Sequence, residues 1–149
     1  MTQEVPVTNI LVVEDNPMDV RLLRYSFERE PEWKTRIEVA EDGEQAIERV
    51  LSQNQTKPDL VILDLNLPKR DGAEVLRLIR GRVTSQRLPV IVFSSAPEDV
   101  IRSRVREANL AAECYVTKPV GIELFSTLAK RFRRCYDDAL RSQLKNFDN

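Results

Sequence analysis

The chain of 149 residues contains no histidine. This absence removes the usual zinc ligand, the commonest general base and any Ser-His-Asp triad. Cysteine is almost as scarce, since Cys114 and Cys135 are the two in the chain. They fall in different predicted elements. A reduced, structural role is therefore favoured for each, with a disulfide or a redox function as the alternative.

Long apolar runs are also missing. No run approaches the roughly 20 residues needed to span a bilayer, and the N-terminal MTQEVPVTN lacks a secretory signal pattern. Both observations favour a cytoplasmic protein without a membrane partner. The net charge of -1 provides no basic field for nucleic acid. The basic run at Arg131, Arg133 and Arg134 is read as a solvated helix face, with a nucleic-acid patch as the weaker alternative.

Apolar runs of strand length alternate with longer helical patterns along the chain. Strict alternation of five strands and five helices predicts one α/β domain with a doubly wound parallel sheet. That domain is expected over residues 9–149, after a loose tail at residues 1–8. The strands are expected at Ile10–Val13, Arg36–Ala40, Asp59–Leu63, Leu88–Phe93 and Glu113–Val116.

Polar side chains follow the carboxyl ends of four of these strands, where open parallel sheets bind ligands. They are Glu14 and Asp15, Asp64, Ser94 and, just after strand five, Lys118. Three clustered carboxylates disfavour one another's ionisation, and one lysine is too little to balance them. A divalent ion supplies the missing charge, and hard oxygen ligands suit Mg²⁺. A carboxylate nucleophile beside a metal and an ammonium group indicates phosphoryl transfer.

Each of these residues also has a plain structural explanation. Glu14 and Asp15 would suit a cap of the first helix, and Asp64 would suit a surface loop. Ser94 alone is an ordinary strand-end serine, and Lys118 alone would be solvated. Their joint placement at one edge of the sheet favours the phosphoryl-transfer site over these separate explanations.

Four segments stand in register at successive strand ends: NILVVEDN, LVILDLNLPKRDG, PVIVFSSA and CYVTKP. In order and spacing they resemble the signature segments of the response-regulator receiver family over about residues 9–134. The resemblance implies a flavodoxin-like (βα)5 fold with strand order 2-1-3-4-5. It also implies a Mg²⁺-dependent phosphorylation switch, not an enzyme, that is phosphorylated by a sensor histidine kinase.

The resemblance assigns metal and phosphoryl roles by position. Asp64 is the phosphoacceptor and a metal ligand, and Asp15 is a direct metal ligand. Glu14 acts on the metal through water, and Asn66 gives its backbone carbonyl. An aspartate-nucleophile phosphatase, the competing enzyme class, would carry a second acid where this chain has Asn66. A metal-free scaffold is the third alternative, and the complete site argues against it.

The resemblance also assigns the parts of a conformational switch. Ser94 is the switch hydroxyl, Tyr115 the switch aromatic and Lys118 the lysine that pairs with the phosphate. Simple core filling remains the alternative for Tyr115. The Lys118–Pro119 bond is implied to be cis, which costs only about 0.5–1 kcal/mol before proline.

About 15 residues follow the end of the similarity, too few for a DNA-binding or catalytic module, so the chain is expected to signal through its own surface. The last helix is predicted from about Gly121 to Phe147, roughly 40 Å and longer than the sheet. A homodimer through this helix and its neighbours is predicted, with fraying after about Asp138 as the alternative. The apolar stripe consists of Phe125, Leu128, Phe132, Cys135, Tyr136, Ala139, Leu140, Leu144 and Phe147.

A narrower resemblance rests on DLNLP, on GRVTSQRLP before strand four, on YVTKP and on the extended tail. Together these features are similar to the small response regulators paired with cyanobacterial phytochromes. The resemblance implies that the phosphoryl donor is a phosphohistidine on a light-sensing histidine kinase.

Overall fold

The computed structural model describes residues 6–53, 56–68, 71–82, 87–107 and 114–147, with side chains as far as residue 142 except that of residue 107. Strands and helices alternate as the sequence predicts as far as β5, which two helices follow. The strands are β1 (Thr8–Val13), β2 (Thr35–Ala40), β3 (Leu60–Leu63), β4 (Val90–Ser94) and β5 (Cys114–Thr117). The helices are α1 (Pro17–Glu28), α2 (Gly43–Leu51), α3 (Gly72–Arg80), α4 (Glu98–Glu107), α5 (Ile122–Phe125) and α6 (Leu128–Phe147).

The five strands form one parallel sheet in the order β2-β1-β3-β4-β5, which confirms the predicted fold and strand order. All residues of β3 and β4 are buried, as expected for strands covered on both faces. Val13 pairs with Ala40 in β2 and with Leu63 in β3, and Ser94 pairs with Thr117 in β5. This register brings the carboxyl ends of the strands to one edge.

Two hydrophobic cores fill the space between the sheet and its helices. One packs α2, α3 and α4 against the sheet. The other packs α1, α5 and α6 against the opposite face, around the fully buried ring of Phe132. That ring lies 5.9 Å from the ring of Phe27 and 5.4 Å from that of Phe93. The last helix therefore contributes central core contacts. No described helix is both long and apolar enough to cross a membrane.

The predicted last helix is wrong as one continuous element, because a turn divides it into α5 and α6. Ser126 Oγ donates to the carbonyl of Glu123 at 2.6 Å, and Thr127 Oγ1 donates to that of Leu124 at 2.9 Å. These hydroxyl groups occupy carbonyls that a continuing helix would use for its own backbone bonds. The helix is therefore interrupted by a turn at this pair, and α6 runs from Leu128 to Phe147.

The prediction of reduced cysteines is also wrong. Cys114 and Cys135 form a disulfide that joins β5 to α6. Their Cα atoms are 5.9 Å apart, within the range that disulfides require. Separate elements do not prevent pairing here, because α6 packs against the face of β5 from which Cys114 projects.

The implied cis bond between Lys118 and Pro119 is not found, since no cis peptide occurs in the described part of the chain. The trans form is the lower in energy unless tertiary contacts oppose it. The bend after β5 falls instead at Gly121, whose φ of 149° is rarely open to residues with side chains.

Candidate functional site

Backbone hydrogen bonds extend the sheet one residue beyond the strands and fix three charged side chains at the same level. The amide of Glu14 donates to the last carbonyl of β2 at 3.0 Å, and that of Asp64 donates to the last carbonyl of β1 at 3.0 Å. The amide of Lys118 donates to the backbone carbonyl of Ser94, the last residue of β4, at 2.7 Å. The sheet therefore positions the site directly.

Glu14, Asp15 and Asp64 form a carboxylate cluster at this edge. Each offers one oxygen, and these oxygens all lie within 4.8 Å of one another. Glu14 and Asp64 are buried, at 2% and 5% exposure, whereas Asp15 is open to solvent. Hard oxygen ligands, one of them on the solvent side, fit a small divalent ion that keeps part of its water shell. The cluster is therefore a candidate metal site.

Lys118 supplies positive charge to this cluster. Its Nζ lies 2.7 Å from Glu14 Oε2, 2.9 Å from Asp19 Oδ2 and 3.2 Å from Asp64 Oδ2. Burial by itself lowers the pKa of Lys118, but the hydrogen bonds to Glu14 and Asp19 outweigh burial and raise it. The ammonium form is therefore held at physiological pH.

Asp19 is a site residue that the sequence analysis missed. It lies in the first turn of α1, where the side chain of Asn16 caps the helix by accepting from the amides of Met18 and Asp19. Because α1 starts at the carboxyl edge of the sheet, its first turn faces Lys118. The sequence does carry a signal for Asp19, since it is an acid in the first turn of the helix that follows Glu14 and Asp15.

Burial raises the pKa of Glu14 to about 7, with the hydrogen bond from Lys118 opposing the rise and the charge of Asp64 adding to it. The carboxyl group therefore changes its protonation state near neutral pH when no metal is bound. A proton on Glu14 and a metal at the cluster oppose each other, because metal binding favours the ionised form.

We expect the affinity of the cluster for a divalent ion, titrated as Mg²⁺, to fall by up to about tenfold between pH 8 and pH 6, because Glu14 becomes protonated over that range. Isothermal titration calorimetry at pH 6, 7 and 8 measures this dependence. Glu14→Gln should bind more weakly at pH 8 and lose most of the pH dependence. An unchanged slope in that variant would show that another group titrates.

The loop after β3 holds Asp64 against the start of α3. The amide of Asn66 donates to Asp64 Oδ1 at 3.1 Å, and that of Gly72 donates to the carbonyl of Leu65 at 2.9 Å. Asp71 caps α3 by accepting from the amide of Ala73 at 2.9 Å. Gly72 packs directly against the backbone of Asp64 and Leu65, a contact that was not predicted from the sequence. The metal role of the Asn66 carbonyl stays a prediction.

The two predicted switch residues lie on adjacent strands. Ser94 is buried at the end of β4, and its Oγ accepts from the amide of Ala96 at 3.3 Å. Tyr115 is half-buried in β5 and packs against the core on the side of α4. The guanidinium carbon of Arg102 lies 4.7 Å from the centre of the Tyr115 ring. Their switch roles stay predictions.

Comparison with known proteins decides the family. The sequence model described as the response regulator receiver domain matches residues 10–130. The chain belongs to this family. Response regulator Rcp1 of Synechocystis sp. is 36% identical over 119 residues, which cover 76% of this receiver and 78% of Rcp1. PhoP of Bacillus subtilis, an alkaline phosphatase synthesis transcriptional regulator, is 34% identical over 138 residues. The receiver spans 53% of the length of PhoP.

The solved structures that resemble this chain include phytochrome response regulators. The phosphorylated cyanobacterial phytochrome response regulator RcpA is 29% identical, with a TM-score of 0.74 over 88% of this chain and 94% of RcpA. The Mn²⁺-bound form of Rcp1 is 29% identical, with a TM-score of 0.66 over 80% of this chain and 89% of Rcp1. The predicted resemblance to phytochrome-linked regulators is confirmed, and the receiver is related to proteins of phosphorylation-dependent two-component signalling.

Proposed function

We propose that this receiver is a phosphorylation switch that accepts a phosphoryl group on Asp64 from a sensor histidine kinase and signals through its own surface. The observation that carries the proposal is the buried Asp64 carboxylate, held between the acidic pair of β1 and the ammonium group of Lys118. The proposal also places the receiver in the cytoplasm. The net charge of -1 gives no reason to add a nucleic-acid partner.

The transfer forms one bond and breaks one. A carboxylate oxygen of Asp64 attacks the phosphorus of the phosphohistidine, the phosphorus–nitrogen bond breaks, and the imidazole leaves. Lys118, which already lies 3.2 Å from Asp64 Oδ2, turns to pair with a phosphate oxygen. Ser94 Oγ exchanges its bond with the backbone amide for a bond donated to another phosphate oxygen. The site residues thereby replace the lost solvation of the phosphoryl group.

The residues at the cluster fit Mg²⁺ as the resident ion. Asp15, Asp64 and the Asn66 carbonyl would hold it directly, with Glu14 acting through water, and the bound ion would neutralise charge on the phosphoryl oxygens. The Mn²⁺ in the Rcp1 structure supports a divalent ion in this family. Carboxylate, carbonyl and water oxygens suit Mg²⁺ and Mn²⁺ alike.

The proposed activity is limited to self-catalysed phosphotransfer and loss of the phosphoryl group. A phosphatase of the aspartate-nucleophile class would need an acid at Asn66, so no turnover of a phosphomonoester is expected. A protein-glutamate methylesterase of Trichodesmium erythraeum is 34% identical over 117 residues. The matched region covers 32% of that enzyme, so its name supplies no activity for this receiver.

A surface for the kinase lies next to the phosphoacceptor. Met18 precedes Asp19, which contacts Lys118, and is 57% exposed. Val120 and Ile122 follow Lys118 in the chain and are exposed at 98% and 65%. Exposed apolar side chains in one area are typical of docking surfaces. We assign this surface to the donor kinase. The related RcpA is named a phytochrome response regulator, which supports a phytochrome as that donor.

A homodimer through α6 is the second part of the proposal. The helix has 20 residues, or about 30 Å, whereas the strands have four to six residues. Its first half is buried through Leu128, Ala129 and Phe132, and Leu140 farther along is half-buried. The side chains of Leu144 and Phe147 lie outside the described part. Light scattering after size-exclusion chromatography tests the dimer, and a strict monomer at micromolar concentration would contradict it.

The central test uses beryllofluoride, which mimics the phosphoryl group, and a small phosphoryl donor. In the presence of Mg²⁺ the wild-type receiver should show a saturable change in amide NMR shifts around Asp64 and Ser94. Asp64→Asn should abolish both the change and the incorporation of phosphate. Asp138→Asn, which alters an exposed acid of α6, is the matched control and should respond fully. A wild-type receiver that fails to respond to either reagent would refute the switch.

A further inference from the structure

Two arginines of α4 reach in different directions from the same helix. Arg104 forms an ion pair with Asp71, the cap of α3, and its Nη1 lies 3.5 Å from Asn66 Oδ1. Arg102 instead lies over the ring of Tyr115 in β5. The helix therefore contacts the loop of the phosphoacceptor through one arginine and the switch aromatic through the other.

Hydrogen bonds to Glu98 hold Arg102 in its position over the Tyr115 ring. The guanidinium of Arg102 donates to Glu98 Oε1 from Nε at 3.1 Å and from Nη2 at 2.7 Å. Glu98 lies one helical turn earlier, so the pair is of the i,i+4 kind. A cation within about 6 Å of an aromatic centroid attracts the negative face of the ring. Glu98 thus orients Arg102, and Arg102 stabilises the present position of the Tyr115 ring.

The position of α4 itself is fixed independently of this stack. Ile101 and Val105 are buried against the sheet at 1% and 0% exposure, and the ion pair of Arg104 ties the helix to α3. Loss of Arg102 would therefore leave the helix in place. This separation allows the contact with Tyr115 to be tested without displacement of the element that carries it.

We propose that Arg102 is a positioning residue that holds Tyr115 half-buried and thereby sets the population of the switched form. The inference rests on the proposed function and on the predicted role of Tyr115 as the switch aromatic, whose ring would turn inward after phosphorylation of Asp64. A ring that turns inward leaves the guanidinium, so the stack stabilises one of the two states alone. An interaction that differs between two states shifts their equilibrium, and the apparent affinity for a ligand of the other state changes accordingly.

The test compares beryllofluoride affinity among matched variants in saturating Mg²⁺. Arg102→Ala should bind about two- to fivefold more tightly than wild type, since exposed cation–π contacts are of modest strength. Arg102→Lys keeps a cation over the ring and should stay near wild type. Arg106→Ala removes the same charge from an exposed position of α4 and should show no change.

The same substitution made in the Tyr115→Leu variant separates the effect of the ring contact from the effect of the arginine charge. In Tyr115→Leu, the further change Arg102→Ala should have no effect on affinity, because the ring that it stabilises is gone. The proposal is overturned if Arg102→Ala leaves affinity unchanged or lowers it. It is also overturned if Arg106→Ala has the same effect, or if the effect persists in Tyr115→Leu.

One readout does not depend on phosphorylation. The aromatic ¹H–¹³C NMR signal of Tyr115 in the resting protein should move in Arg102→Ala and return toward wild type in Arg102→Lys. A wild-type receiver that ignores beryllofluoride would refute the proposed function. An unmoved Tyr115 signal in Arg102→Ala would refute the positioning role on its own.

Discussion

Gly72→Ala should lower the free energy of unfolding by at least about 3 kcal/mol, at the upper end of the usual cost of overpacking. A Cβ at this position would lie 2.4 Å from the carbonyl oxygen of Asp64 and 2.4 Å from the Cα of Leu65. Both atoms belong to backbone, so no side-chain rotation relieves the overlap. The start of α3 would have to move away from Asp64.

Urea unfolding followed by circular dichroism measures this loss, with Gly81→Ala as the matched control. The atoms nearest to a Cβ at Gly81 are helix carbonyls at 3.5 and 3.6 Å, which is ordinary contact. Gly81 already has helical backbone angles, so alanine should be neutral or slightly stabilising there. Equal stability of the two variants would show that α3 does not pack on Asp64 as closely as the structure indicates.

The same overlap carries a functional consequence for the fraction that still folds. The amide of Gly72 donates to the carbonyl of Leu65, and Asp64 immediately precedes Leu65 in the chain. A displaced loop would shift Asp64, the proposed nucleophile, relative to Lys118, and misplacement of about 1 Å can cost a hundredfold in rate. Phosphorylation of folded Gly72→Ala should therefore be slow even at low temperature.

The polar residues at the carboxyl edge of the sheet could be predicted because the end of a strand is marked by residues that are neighbours in the sequence. Asp64 directly follows a continuous apolar run, and Ser94 ends one. Parallel strands bring such ends together at one edge, irrespective of the loops that connect them. Lys118 follows the same rule after β5. The order of the strands came from the family resemblance and not from the pattern of the residues.

The features that were missed depend on distances across the fold. The disulfide of Cys114 requires that α6 return over β5, and no local pattern encodes that approach. Gly72 looks like an ordinary turn glycine until the backbone of Asp64 is placed behind it. The break before α6 has a local cause in Ser126 and Thr127, but hydroxyl residues also occur inside helices, so the sequence alone does not decide their effect.

Lys118→Met should slow phosphorylation by a small donor about a hundredfold or more, the usual cost of removing one donor to a transition-state anion. The same variant should bind Mg²⁺ several-fold more tightly. Methionine nearly matches the shape of lysine but removes the ammonium that now pairs with Glu14, Asp19 and Asp64. The carboxylates then have more unbalanced charge to offer a divalent ion.

Slower phosphorylation together with tighter Mg²⁺ binding distinguishes the loss of the ammonium group from a misfolded site. A misfolded site would lose both Mg²⁺ affinity and phosphorylation, whereas an intact site without its ammonium would lose one and gain the other. The titration belongs at pH 8 or above, since loss of the Lys118 hydrogen bond removes an influence that lowers the pKa of Glu14. Lys130→Met, at an exposed position of α6, should change neither quantity. Weaker Mg²⁺ binding by folded Lys118→Met at that pH would mean that the carboxylates do not form the metal site.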